Sequence, residues 1–266
     1  MRCAPTWAGS GGEHSRRWSD TLTYVSDTDL RFWFDPVCPF AWLTSQWVRS
    51  VARQRDYVVE WRFISLRQIN AHIDYDSHFP PEYEAGHTAG LKLLRVCAKA
   101  RADHGAVAVG PLYEAMGAEI WEHRSGNIAK RLLEDPKELL ATAVGAAALP
   151  LDVIDALEDT GWDEAILAES NEALALTGKD VGTPILQFAP PTGTAFFGPV
   201  ISRVPDDEDA LKLWDHVIGL ATFPGFAEMK RSLREVPRLK AWGVEQDGSE
   251  TVKEEDWHAG SRRLKK

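Results

Sequence analysis

The strongest constraint on this chain is local. Leu30-Arg-Phe-Trp-Phe34 is a short aromatic run stopped by Asp35-Pro36, and Cys38-Pro39 follows at once. A proline after the strand forces a turn, and Pro39 suits the first turn of a helix. Phe40, Leu43, Trp47 and Val51 then recur at helical spacing, which predicts a helix to about Arg55. In Tyr57-Val-Val-Glu-Trp-Arg-Phe63, Val59, Trp61 and Phe63 alternate with Val58, Glu60 and Arg62, the pattern of a second strand. Strand, helix and strand within this span make a βαβ unit with parallel strands.

From about Arg67 to Gly178 leucine and alanine dominate, broken at Pro80-Pro81, Gly110-Pro111, Asp135-Pro136, Leu149-Pro150 and Thr160-Gly161. Four to six helices are expected here, with starts at Asp135-Pro136 and Pro150-Leu151-Asp152. Strand texture returns at Thr183-Pro-Ile-Leu-Gln-Phe188. A turn at Pro190-Pro-Thr-Gly193 and a hairpin partner at Thr194-Ala-Phe-Phe197 follow. Asp206-Asp-Glu-Asp209 opens a helix carrying Leu211, Trp214, Ile218 and Ala221, its acids capping the helix rather than holding a metal. A further helical stretch is expected over about Pro224 to Glu235. The order is β-α-β, helical block, β-β-α: one small sheet interrupted by a helical insertion.

Composition sets outer bounds. With 266 residues, 44% hydrophobic and 26% charged, the chain reads as a folded protein. Thirty Lys and Arg against 40 Asp and Glu give a net charge of -10, which disfavours nucleic acid and anionic membrane as partners. No stretch approaches the roughly 18 apolar residues of a bilayer-spanning helix. Three cysteines, Cys3, Cys38 and Cys97, cannot all pair within one chain, and no signal peptide is visible, so a reducing cytoplasm is the expected compartment. Residues 1–28 read as a disordered leader, and a start near Val25 would serve equally well.

Cys38 is the candidate nucleophile. At a strand-to-helix junction, free N–H groups and the positive helix end favour a thiolate, so a lowered pKa is expected. Cys97, in Leu93-Leu94-Arg95-Val96-Cys97, reads as a small apolar residue on a buried helix face. The histidines show no metal-ligand spacing and no metal is expected. The GxSxG, P-loop and GxGxxG motifs are absent.

These segments together resemble the DsbA-like branch of the thioredoxin fold, and within it the actinobacterial mycothiol-dependent nitroreductases. The resemblance is carried by Phe32-Trp-Phe-Asp-Pro-Val-Cys38-Pro39 with Trp42, Ser65-Leu66 to Asn70, Pro81-Glu-Tyr83, Pro111-Leu-Tyr113 with Ala115-Met-Gly117, and Asp180-Val-Gly-Thr-Pro184. Ala195-Phe-Phe-Gly-Pro-Val-Ile-Ser-Arg203 and Lys212-Leu-Trp214 complete it.

The resemblance implies an α/β thioredoxin fold with a large all-helical insertion. Its thioredoxin-like part would be 29–66 and 179–235, its inserted domain 67–178, and 236–266 a polar tail. It implies Cys38 as catalytic residue and Pro184 as a cis proline beside it, with Thr183 offering backbone groups to a bound thiol. Pro39, Phe40 and Trp42 flank the cysteine, Phe40 partly exposed as a wall for a flat substrate. Asn70 and Tyr83 would lie near the pocket mouth. One departure stands out: where redox relatives have Cys-Pro-x-Cys, this chain has Ala41.

Three functions are compatible with that pattern. The first is a one-cysteine thiol oxidoreductase in which a small thiol, mycothiol by the resemblance, resolves the mixed disulfide. No tightly bound cofactor is implied, and there is room for a homodimer. The second is a thiol-assisted cis–trans isomerase or thiol transferase, akin to hydroxychromene-carboxylate isomerases and kappa-type glutathione transferases. The third is a non-catalytic binding module.

Overall fold

The computed structural model describes residues 28–75, 81–123, 132, 136–179, 181–244 and 254–256. The expected leader, with Cys3, lies outside these residues. The sheet begins with β1 (Leu30–Phe34), followed by α1 (Pro39–Arg55) and β2 (Val59–Phe63). β1 and β2 pair in parallel, Phe32 opposite Trp61 and Phe34 opposite Phe63. After the helical block come β3 (Ile185–Phe188), antiparallel to β1, and its hairpin partner β4 (Ala195–Phe197), giving the order β2-β1-β3-β4. The last long helix, α7 (Asp207–Ala221), is capped by Asp206, whose side chain accepts from the Asp209 N–H.

Strand alternation divides the sheet between two layers. Phe32, Phe34, Trp61, Phe63, Leu186 and Phe188 face the large core together with α1 and α7. There Trp214 meets Trp47 at 5.3 Å, Tyr57 at 5.7 Å and Phe188 at 5.7 Å between ring centroids. The Trp47 indole N–H donates to Ala210 O, tying α1 to α7. On the opposite face Trp33, Ile64 and Ile185 pack against Ala173 of α6 (Asp163–Thr177). Around that small core runs a charge network: Arg31 pairs with Glu60 and Glu172, and Arg62 with Glu60, Glu169 and Glu172.

Between β2 and β3 lie α2 (Leu66–Ile69), α3 (Pro81–His104), α4 (Val109–Trp121), α5 (Pro136–Ala146) and α6, with 3₁₀ turns at Leu151–Glu158 and Thr160–Trp162. Among the described residues, 67–178 contains no strand. The helical block shares one core with the sheet. Tyr113 of α4 stacks on Phe34 of β1 at 3.8 Å, and Gly117 of α4 lies against Trp42 of α1 so closely that a Cβ there would sit 2.1 Å from the indole. The chain is an α/β thioredoxin fold with a helical insertion.

Two expectations fail at the C-terminal end. Residues 224–235 are not a helix: Gly225 takes a positive φ of 82°, and the chain extends into β5 (Leu233–Glu235), which pairs with β6 (Glu254–Asp256). Pro224-Gly225 breaks the backbone at the start of the stretch expected to be helical. Nor does the segment from 236, expected as a polar tail, stand apart from the core at its start. Leu239 and Ala241 enter the core, and the Arg238 N–H donates to Ser202 O at 2.8 Å. Trp242 meets Trp121 edge-on at 6.0 Å. The polar composition of this segment hides the few side chains that anchor it.

Candidate active site

Cys38 is the N-cap of α1. Its backbone is extended (φ -88°, ψ 113°), Pro39 occupies the first helical turn, and its Sγ accepts from the Ala41 N–H at 3.4 Å. The thiol in turn donates to Thr183 O at 3.4 Å. Thr183 is held by its own hydroxyl, which donates to Trp33 O at 3.2 Å, and the Thr183–Pro184 bond is cis. The sequence motifs Cys38-Pro39 and Thr183-Pro184, 145 residues apart, therefore meet at one sulfur.

The electrostatics correct the expected thiolate. Burial pushes the Cys38 thiol up to about 12. The N–H groups of Ala41 and Phe40 and the charge of Arg234 pull it down, while the negative charge of Asp35 raises it further. Desolvation outweighs the helix end because the sulfur is enclosed: Cys38 is 6% exposed, with Ala41 at 0%, Phe40 at 7% and Thr183 at 5%. Free N–H groups stabilise an anion only as far as the surroundings tolerate one.

The exposure expected of Phe40 is corrected too. Phe40 is buried rather than partly exposed, its ring lying under the Arg234 guanidinium at 5.4 Å. Trp42 is buried, its indole N–H donating to Glu122 Oε1 at 3.1 Å and its ring edge-on to Tyr113. Trp42 is thus a strut between α1 and α4. Pro39 remains half-buried at the sulfur's side, and Pro184 is buried.

Asn70 closes α2, its N–H bonding back to Leu66 O. Tyr83 lies exposed on α3, edge-on to His87 at 5.7 Å. His87 meets the Tyr75 hydroxyl at 3.0 Å, and burial lowers its pKa to about 4. This helical wall is tied to the cysteine loop through Asp35, which accepts from the Leu66 N–H at 2.8 Å.

Two residues here escape a reading of the sequence. Asp35 is fully buried beneath the turn, accepting from the Val37 and Leu66 N–H groups, and burial raises its pKa to about 7 against the pull of those bonds. Its place, directly after the strand and three residues before the cysteine, is visible, but reads equally as a strand stop. Arg234 lies in a segment expected to be helical, and nothing local links it to Cys38.

Cys97 is remote from this chemistry. It is fully buried in α3 against the Met116 sulfur at 3.9 Å, and burial pushes its pKa up to about 12.

Residues 37–231 match the family described as Mycothiol-dependent nitroreductase Rv2466c, about three-quarters of the chain, with the cysteine loop, the helical block and the Thr183-Pro184 turn all inside the match. The chain belongs to this family. It is also 33% identical over 210 residues to the uncharacterized protein Rv2286c of Mycobacterium tuberculosis, covering 77% of this chain and 82% of that protein. A looser likeness, at 17% identity and a TM-score of 0.44, is to a candidate protein-disulfide isomerase from Pseudomonas syringae, covering 71% of this chain and 92% of that one. Among the described residues, no helix is long and apolar enough to cross a membrane.

Proposed function

We propose that this member of the Mycothiol-dependent nitroreductase Rv2466c family is a one-cysteine thiol oxidoreductase that uses Cys38 and a small thiol, mycothiol, to reduce a small electrophile or disulfide. The observation that carries the proposal is the pairing of Cys38 at the helix start with Ala41 one turn on. Ala41 is fully buried and its N–H points to Sγ, so no resolving thiol stands where a local disulfide would close.

For a disulfide substrate, the Cys38 sulfur attacks one sulfur of the acceptor, releasing the other half as a thiol and leaving a mixed disulfide on Sγ. An incoming thiol attacks that bond, restoring Cys38 and leaving as a disulfide with the bound half. Per turnover one small thiol is consumed and one half of the acceptor is released as a thiol: the disulfide bond passes from the acceptor to the small thiol, and in net the proton the incoming thiol gives up is taken by the half released. In the resting site the proton stays on Sγ, directed to Thr183 O. For attack, that proton leaves Sγ and goes to the half of the acceptor that is released, while the Ala41 N–H and the charge of Arg234 favour the thiolate.

The test is turnover of a mixed mycothiol disulfide and of a nitroaromatic dye, with and without mycothiol, together with the intact mass of the protein. Wild type should require the added thiol and carry it on Cys38, and Cys38→Ser should lose at least about a hundredfold in rate. Full activity in Cys38→Ser, or conversion of substrate with no thiol consumed, would overturn the reading; the second result would point to isomerisation.

A further inference from the structure

Among the described residues, the arginines are almost all ion-paired. Arg31, Arg49, Arg55, Arg62, Arg67, Arg95, Arg101, Arg203, Arg231 and Arg238 each meet a carboxylate. This follows from a net charge of -10, with acids in excess. Two described arginines have no carboxylate partner. Arg53 is exposed, where water satisfies it. Arg234 is half-buried, and its described side-chain partner is the ring of Phe40, two residues from the nucleophile. A partly desolvated guanidinium without a counter-charge is costly unless something else completes it. Stacking on a ring leaves its in-plane N–H donors available, in a fork that matches a planar oxyanion.

We propose that Arg234 forms an anion-binding position beside Cys38, and that the electrophile or disulfide attacked there carries an anionic group of the carboxylate class within reach of this guanidinium. The proposal rests on Cys38 as the reacting group. Arg234 reaches the site by an element of its own: β5 pairs with β6, Arg234 opposite Glu255, and brings the guanidinium over the first turn of α1. It also lies just beyond the residues matched by the family. The charge of Arg234 favours the Cys38 thiolate as well. A bound anion and a thiolate are separable roles, because only the first discriminates between reagents of different charge.

The experiment compares alkylation of Cys38 by iodoacetate, which carries a carboxylate, and by iodoacetamide, its neutral analogue, resolved on the Cys38 peptide by mass spectrometry. Both displace iodide at the same sulfur, so fold and thiolate content cancel in the ratio of rates. In wild type the iodoacetate-to-iodoacetamide ratio at Cys38 should exceed that of the unfolded chain, and should fall as salt is raised from about 0.02 M to about 0.5 M. Arg234→Gln should lower the ratio about fivefold, with Arg234→Lys retaining most of it. A ratio unchanged in Arg234→Gln, equal slowing of both reagents, or a wild-type ratio indifferent to salt would each overturn the proposal. None of these needs turnover, so a failed anion position leaves the redox reading standing, and active Cys38→Ser protein would sink the redox reading alone.

Discussion

Replacing Asp35 by asparagine should remove a pH dependence of stability that the wild type carries near neutrality. The carboxyl is fully buried and titrates at about 7 instead of 3.8, chiefly because burial opposes its charge. The folded chain therefore holds this proton more tightly than the unfolded chain does. Its contribution is fully present below about pH 4 and is lost as pH rises to about 7, amounting to about 4 kcal/mol at about 1.36 kcal/mol per tenfold. Urea unfolding followed by tryptophan fluorescence at pH 5, 6, 7 and 8 measures it. The substituted amide cannot ionise, so whatever it loses in its bonds to the Val37 and Leu66 N–H groups is the same at every pH. The stability of wild type minus that of Asp35→Asn should fall by about 3 kcal/mol between pH 5 and pH 8, and other titrating groups cancel in the difference. A difference flat to within about 0.5 kcal/mol would mean that Asp35 is charged throughout, its two N–H bonds outweighing burial.

At pH 8 both described thiols should alkylate at least about a hundredfold more slowly in the native protein than in the unfolded chain, with Cys38, 6% exposed, ahead of Cys97 at 0%; peptide-resolved labelling that finds Cys97 first would be the contrary result. Ala41→Cys should form a local disulfide with Cys38, seen as a loss of two titratable thiols on mild oxidation, and should raise insulin disulfide reduction; an Ala41→Cys protein that keeps both thiols would refute the one-turn geometry. Gly117→Ala should destabilise by about 3 kcal/mol in urea unfolding, since its Cβ would fall 2.1 Å from a Trp42 ring pinned by Glu122 and Tyr113; a cost under about 0.5 kcal/mol would show that the α1–α4 contact gives way.

The elements that are legible from the sequence are those whose signal is local. The aromatic strand ending at Asp35-Pro36, the Pro39 helix start and the acids before α7 each express a backbone rule, and β1, α1 and α7 lie where those rules put them. The alternation in β2 also survives, Trp61 and Phe63 to the core and Glu60 and Arg62 to the ion pairs. Legibility is lost where the outcome depends on distant segments. Phe40 follows a Cys-Pro pair at a helix start, where exposure is the local expectation, yet it is buried, and the C-terminal segment that returns as β5 lays Arg234 over its ring. Trp42 becomes a strut because α4 presents Gly117 to it. No periodicity within residues 30–55 contains that information.

The same distinction governs the cysteine. Position at a helix start is a local property and favours the thiolate; enclosure is a tertiary property, and here it wins. The two are compatible with catalysis once the missing partner is considered. A Cys-x-x-Cys site clears its own mixed disulfide within one helical turn and can afford an open sulfur. In the one-cysteine mechanism proposed above, with Ala41 in that place, a mixed disulfide on Cys38 would persist until a second thiol arrives, exposed meanwhile to any thiol able to reach it. Ala41, Phe40 and Thr183 around the sulfur limit that access, so the enclosure that keeps the resting thiol protonated would also select the thiol that resolves it. On this reading, loss of the second cysteine and burial of the first belong together. Opening the enclosure by Phe40→Ala should then speed Cys38 alkylation while letting simple thiols such as cysteamine replace mycothiol in turnover. Faster alkylation with an undiminished preference for mycothiol would show that selectivity lies elsewhere.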